Sequence, residues 1–131
     1  MTALMADRLR GIHAATIAPM LSDFSLDEAA LSDHLAAIAQ VPGIRGFLIN
    51  GHAGENFVLN AEEKTKVLKV AREIIAPNQV LCAGINAESS LAAAHEAEAA
   101  ERSGADILLV FPPNSFALGH DPRAALVHHT H

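Results

Sequence analysis

The stretch Gly46-Phe47-Leu48-Ile49-Asn50-Gly51-His52-Ala53-Gly54-Glu55 decides how the rest of the chain is interpreted. Residues 47–49 are an apolar run between breakers, which predicts a strand buried on both faces. The turn that follows contains Gly51 and Gly54. Glycine lets the backbone adopt positive φ or bring its N–H groups close to a bound anion. Because tight turns also need glycine for conformational reasons alone, the motif by itself leaves a structural and an anion-binding role open.

The composition argues against a nucleic-acid partner. The chain has 131 residues, half of them hydrophobic, with 9 Lys and Arg against 15 Asp and Glu. Its length is that of one domain. Nucleic acids require a basic surface and aromatic stacking partners, whereas this sequence has a net charge of −6 and contains neither Trp nor Tyr.

The cysteine content and the apolar segments predict a cytoplasmic location. Cys82 is the single cysteine and lies in an apolar run, so we interpret it as a reduced core residue. The first ten residues lack the long apolar core of a signal peptide. No apolar segment approaches the roughly 20 residues of a membrane span. We therefore expect no membrane partner.

Strand and helix patterns alternate along the chain. Strands are predicted at residues 11–19, 47–49, 79–83 (closed by Gly84) and 107–111. Helices are predicted at residues 26–40, from residue 60 onwards, at residues 88–103, and from Asp121 onwards. Ser25 or Asp27 is placed to cap the first helix, Asn60 caps the second, and Gly104 ends the third.

Four successive β-then-α units of roughly 30 residues predict parallel strands joined by right-handed helical crossovers. The candidates are a doubly wound sheet and a barrel. No Gly-x-Gly-x-x-Gly follows the first strand, which argues against a dinucleotide-binding sheet. Both architectures carry their sites at the carboxyl ends of the strands. That rule places residues 16–20, 51–55, 84–86 and 112–116 on one rim.

Several motifs together resemble the N-terminal half of the dihydrodipicolinate synthase/N-acetylneuraminate lyase family. Residues 51–55 are similar to the family's Gly-Thr-Thr-Gly-Glu, and Leu59-Asn60-Ala61-Glu62-Glu63 is similar to its Leu-Ser-x-Glu-Glu. Ala18-Pro19-Met20 stands where the family has Thr-Pro-Phe. Ala83-Gly84 after the third strand and Gly104-Ala105-Asp106 before the fourth also match. The motifs follow the family's order and spacing over nearly the whole chain.

The resemblance implies an α/β fold of the (β/α)₈ TIM-barrel type. Residues 1–131 would be the N-terminal part of a single barrel domain, about the first four βα units, or half a barrel. The implied activity is that of a lyase or aldolase that forms or cleaves a C–C bond with pyruvate or another 2-oxo acid through a lysine Schiff base. The resemblance also implies a homo-oligomer and no metal or organic cofactor.

The family's turn residues suggest roles for Gly51, His52, Ala53 and Gly54, which we expect to bind the substrate. In the family, the first threonine of this turn belongs to a hydroxyl proton relay, and the second helps to hold the substrate carboxylate. Here these positions are His52 and Ala53. Ala53 retains a backbone N–H for a carboxylate but has no hydroxyl. Since histidine titrates near neutrality, His52 could carry a proton, or it could merely line the rim.

Two departures from the family limit what this sequence is expected to do. Pro112-Pro113-Asn114 replaces the family's Pro-Tyr-Tyr, so the aromatic residue that reaches a neighbouring subunit's site is missing. This argues against dihydrodipicolinate synthesis itself. The family's Schiff-base lysine lies on the sixth strand and its proton-transferring tyrosine on the fifth. The sequence reaches His131 as its fourth predicted helix begins.

The lysines of the chain do not replace the family's nucleophile. Lys64, Lys66 and Lys69 fall on the second predicted helix, where lysines are ordinarily solvated and therefore protonated. We expect the chain alone to be inactive. The alternative to a lyase is a non-catalytic half-barrel that functions only by pairing with another chain.

Two further clusters, one of histidines and one of glutamates, are not assigned to a metal or catalytic site. His128 and His131 are three residues apart and could share a metal on one helix face, but a chance cluster is favoured and no metal is expected. The third predicted helix carries Glu96, Glu98 and Glu101, interspersed with alanines on what we interpret as its solvated face. We expect these glutamates to promote solubility and not to form a carboxylate site.

Overall fold

Four parallel strands form one sheet in residues 3–115, the part of the chain that the computed structural model describes, with side chains from Ala6 onwards. The strands are β1 (Ile12–Ala15), β2 (Ile44–Ile49), β3 (Val80–Ile85) and β4 (Ile107–Val110). The helices are α1 (Ala3–Arg8), α2 (Glu28–Ala39), α3 (Ala61–Ile74) and α4 (Ser90–Arg102). The strand order β1-β2-β3-β4 follows the sequence without the reversal of a doubly wound sheet. The fold is half of a (β/α)₈ barrel, which confirms the predicted class.

The two faces of the sheet are buried to different extents. Phe47 and Ile49 of β2 are fully buried in the core that the helices cover. Leu48 points to the opposite face, where its register partner Cys82 is also only partly buried. This second face corresponds to the inside of a barrel. The prediction that β2 is buried on both faces is wrong for the inner face, because residues 3–115 supply no opposing half of the barrel.

The helix ends follow the predicted capping chemistry. The Asp27 side chain accepts a hydrogen bond from the Ala30 N–H at 2.9 Å and caps α2, whereas Ser25 bonds to Asp23 instead. Asn60 forms a reciprocal capping box with Glu63 at the start of α3. Gly104 follows α4 with φ of +91°, the left-handed conformation that favours glycine after a helix.

Several elements differ from the sequence prediction, and β2 begins at Ile44, three residues before the predicted start. Helix α1 was not predicted, since its short segment offers little periodicity. Strand β1 ends at Ala15, short of the predicted residue 19. Gly84 lies within β3 and does not close it. The predicted fourth helix, from Asp121, and the pair His128 and His131 lie outside the described residues.

The Gly104-Ala105-Asp106 motif has a structural role at the amino-terminal end of the sheet. Asp106 accepts hydrogen bonds from the Leu81 N–H at 2.8 Å, from Arg8 at 3.2 Å and from Arg72 at 3.3 Å. This carboxylate therefore joins α1, α3 and β3 to the start of β4.

Within residues 3–115, every helix falls short of the length and apolar character that a bilayer-spanning segment needs. In the same part of the chain, His, Cys, Asp and Glu side chains do not gather in groups of three that could hold a metal ion.

Candidate functional site

The turn after β2 is a single turn of 3-10 helix over residues 52–54, at the carboxyl end of the strand. Its hydrogen bonds run from the Gly54 N–H to the Gly51 carbonyl and from the Glu55 N–H to the His52 carbonyl, both at 3.0 Å. No acceptor for the His52 and Ala53 N–H groups lies among residues 3–115. Two adjacent donors of the turn are therefore available to a ligand on the exposed rim.

The glycines of the turn allow its backbone to lie close to neighbouring residues, and they do not adopt positive φ. Gly51 has φ of −80°, and the left-handed residues on either side are Asn50 and Glu55. A Cβ on Gly54 would lie 3.1 Å from the Thr16 carbonyl oxygen. Of the two roles that the sequence left open for these glycines, positive φ is therefore excluded, and the turn packs against the end of β1.

The His52 imidazole contacts two aromatic rings at the rim. It stacks on Phe111 with centroids 4.0 Å apart and an interplanar angle of 19°. Phe57 meets the same imidazole edge-on at 6.5 Å and 70°. His52 and Phe57 are exposed, and no group of residues 3–115 forms a hydrogen bond with the His52 ring nitrogens. The imidazole is thus held by ring contacts while its nitrogens stay available.

Three buried asparagines support the turn from beneath. Asn56 donates to the Asn50 carbonyl at 2.8 Å, and Asn86, which follows β3, donates to the Asn56 side chain at 3.3 Å. Asn50 in turn donates to the Lys64 carbonyl at 3.0 Å. The sequence prediction missed this network, because contacts between the ends of different strands leave no local pattern.

Lys64 and Glu96 form a largely buried ion pair beside this network. The ammonium lies 3.1 Å from both carboxylate oxygens, and the two side chains are only 12% and 18% exposed. The pair lines a cavity of about 330 Å³ that also contacts Asn50 and His95. The expectations that Lys64 is solvated and that Glu96 serves solubility are both wrong.

The helical spacing in the sequence indicates that both charged residues lie on buried helix faces. Lys64 precedes the buried Leu68 by four residues, and Glu96 precedes the buried Ala100 by four. Residues four apart share a helix face. Both charges therefore lie on the buried stripes of α3 and α4, facing one another. Lys66 and Lys69 are exposed, as the sequence predicts.

The remaining rim segments also follow the carboxyl ends of the strands. Thr16 is buried after β1, and its N–H donates to the Leu48 carbonyl at 3.2 Å. Beyond β4, Glu88 accepts from the Asn114 N–H at 2.8 Å and from the Ser115 N–H at 3.3 Å. The structure thus brings residues 51–55 together with the ends of β1, β3 and β4, while Phe116 lies outside the described residues.

Comparison with solved structures supports the same architecture. Dihydrodipicolinate synthase from Agrobacterium tumefaciens is 30% identical with a TM-score of 0.78, over 95% of this chain and 41% of that protein. The Aquifex aeolicus dihydrodipicolinate synthase is 30% identical with a TM-score of 0.71, over 79% of this chain and 34% of that one. A prophage protein of the dihydrodipicolinic acid synthase family from E. coli K12, solved in complex with pyruvate, is 26% identical with a TM-score of 0.66. The match covers 80% of this chain and 35% of the E. coli protein.

The chain spans about a third to two fifths of the length of these proteins. A family model for the dihydrodipicolinate synthetase family matches residues 8–124, which is most of the sequence. With its four parallel strands, the helices that connect them and the turn at residues 51–55, this chain belongs to the dihydrodipicolinate synthetase family.

Proposed function

We propose that this chain is the N-terminal part of a single barrel domain of a lyase or aldolase that acts on pyruvate or another 2-oxo acid. Membership in the family supports this proposal, as does the pyruvate complex of the related E. coli protein. The reaction would form or cleave a C–C bond through a lysine Schiff base. That lysine would lie outside the 131 residues of this sequence.

The observation that carries the proposal is the pair of N–H groups at His52 and Ala53, which have no hydrogen-bond acceptor within residues 3–115. A 2-oxo acid presents a carboxylate, and an exposed backbone N–H is a suitable donor to it. Gly51 and Gly54 let the turn lie close to the Leu48 side chain and the Thr16 carbonyl oxygen, which fixes the position of these donors. We assign the carboxylate subsite to residues 51–54, with the Ala53 N–H as its central donor.

His52 is proposed as the proton carrier of this site. Its ring nitrogens have no hydrogen-bond partner within residues 3–115, and its imidazole lies at the same rim as the Ala53 N–H. An imidazole can both accept and donate a proton near neutral pH, so it can perform the transfer that a hydroxyl relay performs in the family.

The lysines of the chain are unsuited to forming the Schiff base. A lysine attacks a carbonyl only as the free amine, which requires desolvation without a stabilising anion. Lys64 is largely buried but is paired with Glu96, Lys66 contacts Glu28 at 2.6 Å, and Lys69 is exposed. We expect borohydride treatment with pyruvate to leave the mass of the chain unchanged. A stable mass increase on one lysine would contradict this assignment.

The carboxylate subsite is tested by binding, which does not need the lysine. In an NMR titration of the ¹⁵N-labelled chain, pyruvate should shift the amide signals of His52, Ala53 and Gly54, whereas acetone, which lacks a carboxylate, should not. Ala53→Thr restores the hydroxyl found in the family and should strengthen pyruvate binding about two- to tenfold. Ala61→Thr, at an exposed position at the start of α3, is the matched control. Equal shifts with acetone, or none with pyruvate, would refute the subsite.

An exposed apolar surface favours a second candidate function, that of a half-barrel that acts by pairing. Leu108 and Leu109 of β4 are each 41% exposed and Val110 is 46% exposed. Apolar strand residues at this level of exposure are suited to association. We therefore propose a homo-oligomer, or a complex with another chain that covers this strand.

A further inference from the structure

The His52 and Phe111 rings meet although their strands are not neighbours. His52 follows β2, Phe111 follows β4, and β3 lies between these strands. Adjacent strands are about 4.8 Å apart, so the two strand ends are separated by about 10 Å. The backbone of the turn covers part of this separation, since the Gly51 Cα would lie 3.1 Å from a Cβ on Gly84 of β3. The two side chains then bring the ring centroids to 4.0 Å.

The register shows why Phe111 can reach this position. Leu109 is the register partner of Gly84, and the Phe111 N–H continues the ladder by donating to the Ile85 carbonyl at 2.9 Å. Since side chains alternate along a strand, Phe111 lies on the same inner face as Leu109. Gly84 has no side chain on that face, so the backbone of Asn50 and Gly51 can lie directly against β3, where a Cβ would collide with the Asn50 carbonyl oxygen. The turn that carries His52 therefore leans over β3 towards Phe111.

Stacking constrains the imidazole without occupying its nitrogens. Phe111 covers one face of the ring, whereas the two nitrogens lie in the ring plane and point away from the stack. An aromatic pair of this geometry favours the stacked rotamer about two- to tenfold over an unstacked one. The Phe57 ring lies farther away, with centroids 6.5 Å apart, and is inclined to the imidazole by 70°, so it does not stack on it.

We propose that Phe111 is the positioning residue for His52. It holds the imidazole over the end of β3, beside the Ala53 N–H, so that a ring nitrogen faces a 2-oxo acid bound at the turn. The inference rests on the proposed role of residues 51–54. It adds a residue that follows β4 to a site that otherwise belongs to the turn after β2.

The test uses the imidazole signals of His52 in ¹H–¹³C spectra of the chain, assigned with His52→Gln. Protons above an aromatic face are shifted upfield, so the wild-type His52 signals should lie upfield of those of an exposed histidine. Phe111→Leu should abolish this displacement and weaken the response of these signals to pyruvate about two- to tenfold. Phe111→Tyr keeps the ring and should retain both properties. Phe57→Leu, the matched control, should keep the upfield position.

The outcomes separate this inference from the proposed function. An unchanged upfield position in Phe111→Leu, or its loss in Phe57→Leu, overturns the positioning role even if pyruvate still binds the turn. A second outcome is that pyruvate shifts no signal of residues 51–54 in the wild type while the upfield position of the His52 signals still depends on Phe111. That outcome would refute the proposed function but would leave the stacking of Phe111 on His52 supported. If the Phe111→Leu protein does not fold, the test is a nuclear Overhauser contact between the His52 and Phe111 rings in the wild type. The absence of this contact would overturn the proposal.

Discussion

The Lys64 ammonium lies 3.1 Å from both carboxylate oxygens of Glu96 and joins α3 to α4 beside the candidate site. Glu96 also accepts a hydrogen bond from the Asn86 N–H at 3.2 Å, and Asn86 supports the turn through Asn56. The ion pair is therefore connected to the rim by two further hydrogen bonds. Its integrity should matter both for folding and for the position of residues 51–54.

Removing one partner of this pair should lower the free energy of unfolding more than removing one partner of an exposed ion pair. Lys64→Met leaves Glu96 in a largely buried position without its cation, which should lower the free energy of unfolding by about 2–4 kcal/mol. Lys66→Met is the control, because its partner Glu28 and Lys66 itself are about half exposed, and should cost at most about 1 kcal/mol. Urea unfolding measures both. Equal losses would show that the Lys64–Glu96 pair contributes no more than a surface pair.

Gly84→Ala should disturb the turn through the backbone of Asn50. A Cβ on Gly84 would collide with the Asn50 carbonyl oxygen and lie 2.7 Å from its carbon, and neither atom belongs to a flexible side chain. We expect a loss of about 1–3 kcal/mol, the usual cost of overpacking. Gly51→Ala meets only the Leu48 side chain, at 3.0 Å, and should cost less. Thermal melts of the two variants would test this order, and a more stable Gly84→Ala protein would contradict it.

The sequence predicts the parts of this fold that depend on local pattern. The strands at the apolar runs and the helix caps at Asp27 and Asn60 are confirmed, because strand formation and helix capping depend on a few neighbouring residues. Burial of the inner face of β2 depends on distant parts of the fold and does not follow the prediction. The Lys64–Glu96 pair departs from the prediction, because a charged side chain is ordinarily solvated whereas helix spacing places both of these charges on buried stripes. The contacts of Asn56 and Asn86 depend on how separate strand ends meet, and no local pattern carries that information.

Cys82 provides a pH-dependent test of the inner face of the sheet. Burial raises the pKa of the Cys82 thiol above its ordinary value of 9.0. Because the folded-state pKa is the higher one, the contribution to stability is fully present below about pH 9 and is lost as the pH rises through the folded value. Cys82→Ala should therefore remove part of the alkaline loss of stability in melts between about pH 8 and pH 10.5.

The same burial should slow the reaction of Cys82 with iodoacetamide, since the thiolate is the reactive form. At about pH 8 the folded chain should react several-fold more slowly than the chain in urea. Equal rates in the two states would show that Cys82 is not protected by the fold. The alkylated position is identified by mass spectrometry, which is unambiguous because the sequence contains one cysteine.

Self-association is expected from the uncovered strand at one edge of the described sheet. Leu109 of β4 faces inward with Leu48 and Cys82, and Leu108 and Val110 face the other side, all partly exposed. Parallel strands at an open edge present unpaired N–H and C=O groups beside these apolar side chains. Burying some 800 Å² of apolar surface would favour association by about 20 kcal/mol before ordering and desolvation costs are subtracted. We expect a preparation of residues 1–131 to be dimeric or larger at micromolar concentration.

Leu109→Lys should shift this equilibrium towards the monomer, because association would bury an unpaired charge beside the inner face. Val41→Lys places the same charge at an exposed apolar residue in the turn before β2, away from β4, and should leave association unchanged. Sedimentation velocity of the two variants and the wild type measures the difference, and circular dichroism verifies that each chain is folded. A wild-type chain that sediments as a monodisperse monomer and melts cooperatively would show that the open edge of β4 is not an association surface. Association that is equal in all three proteins would place the contact elsewhere on the molecule.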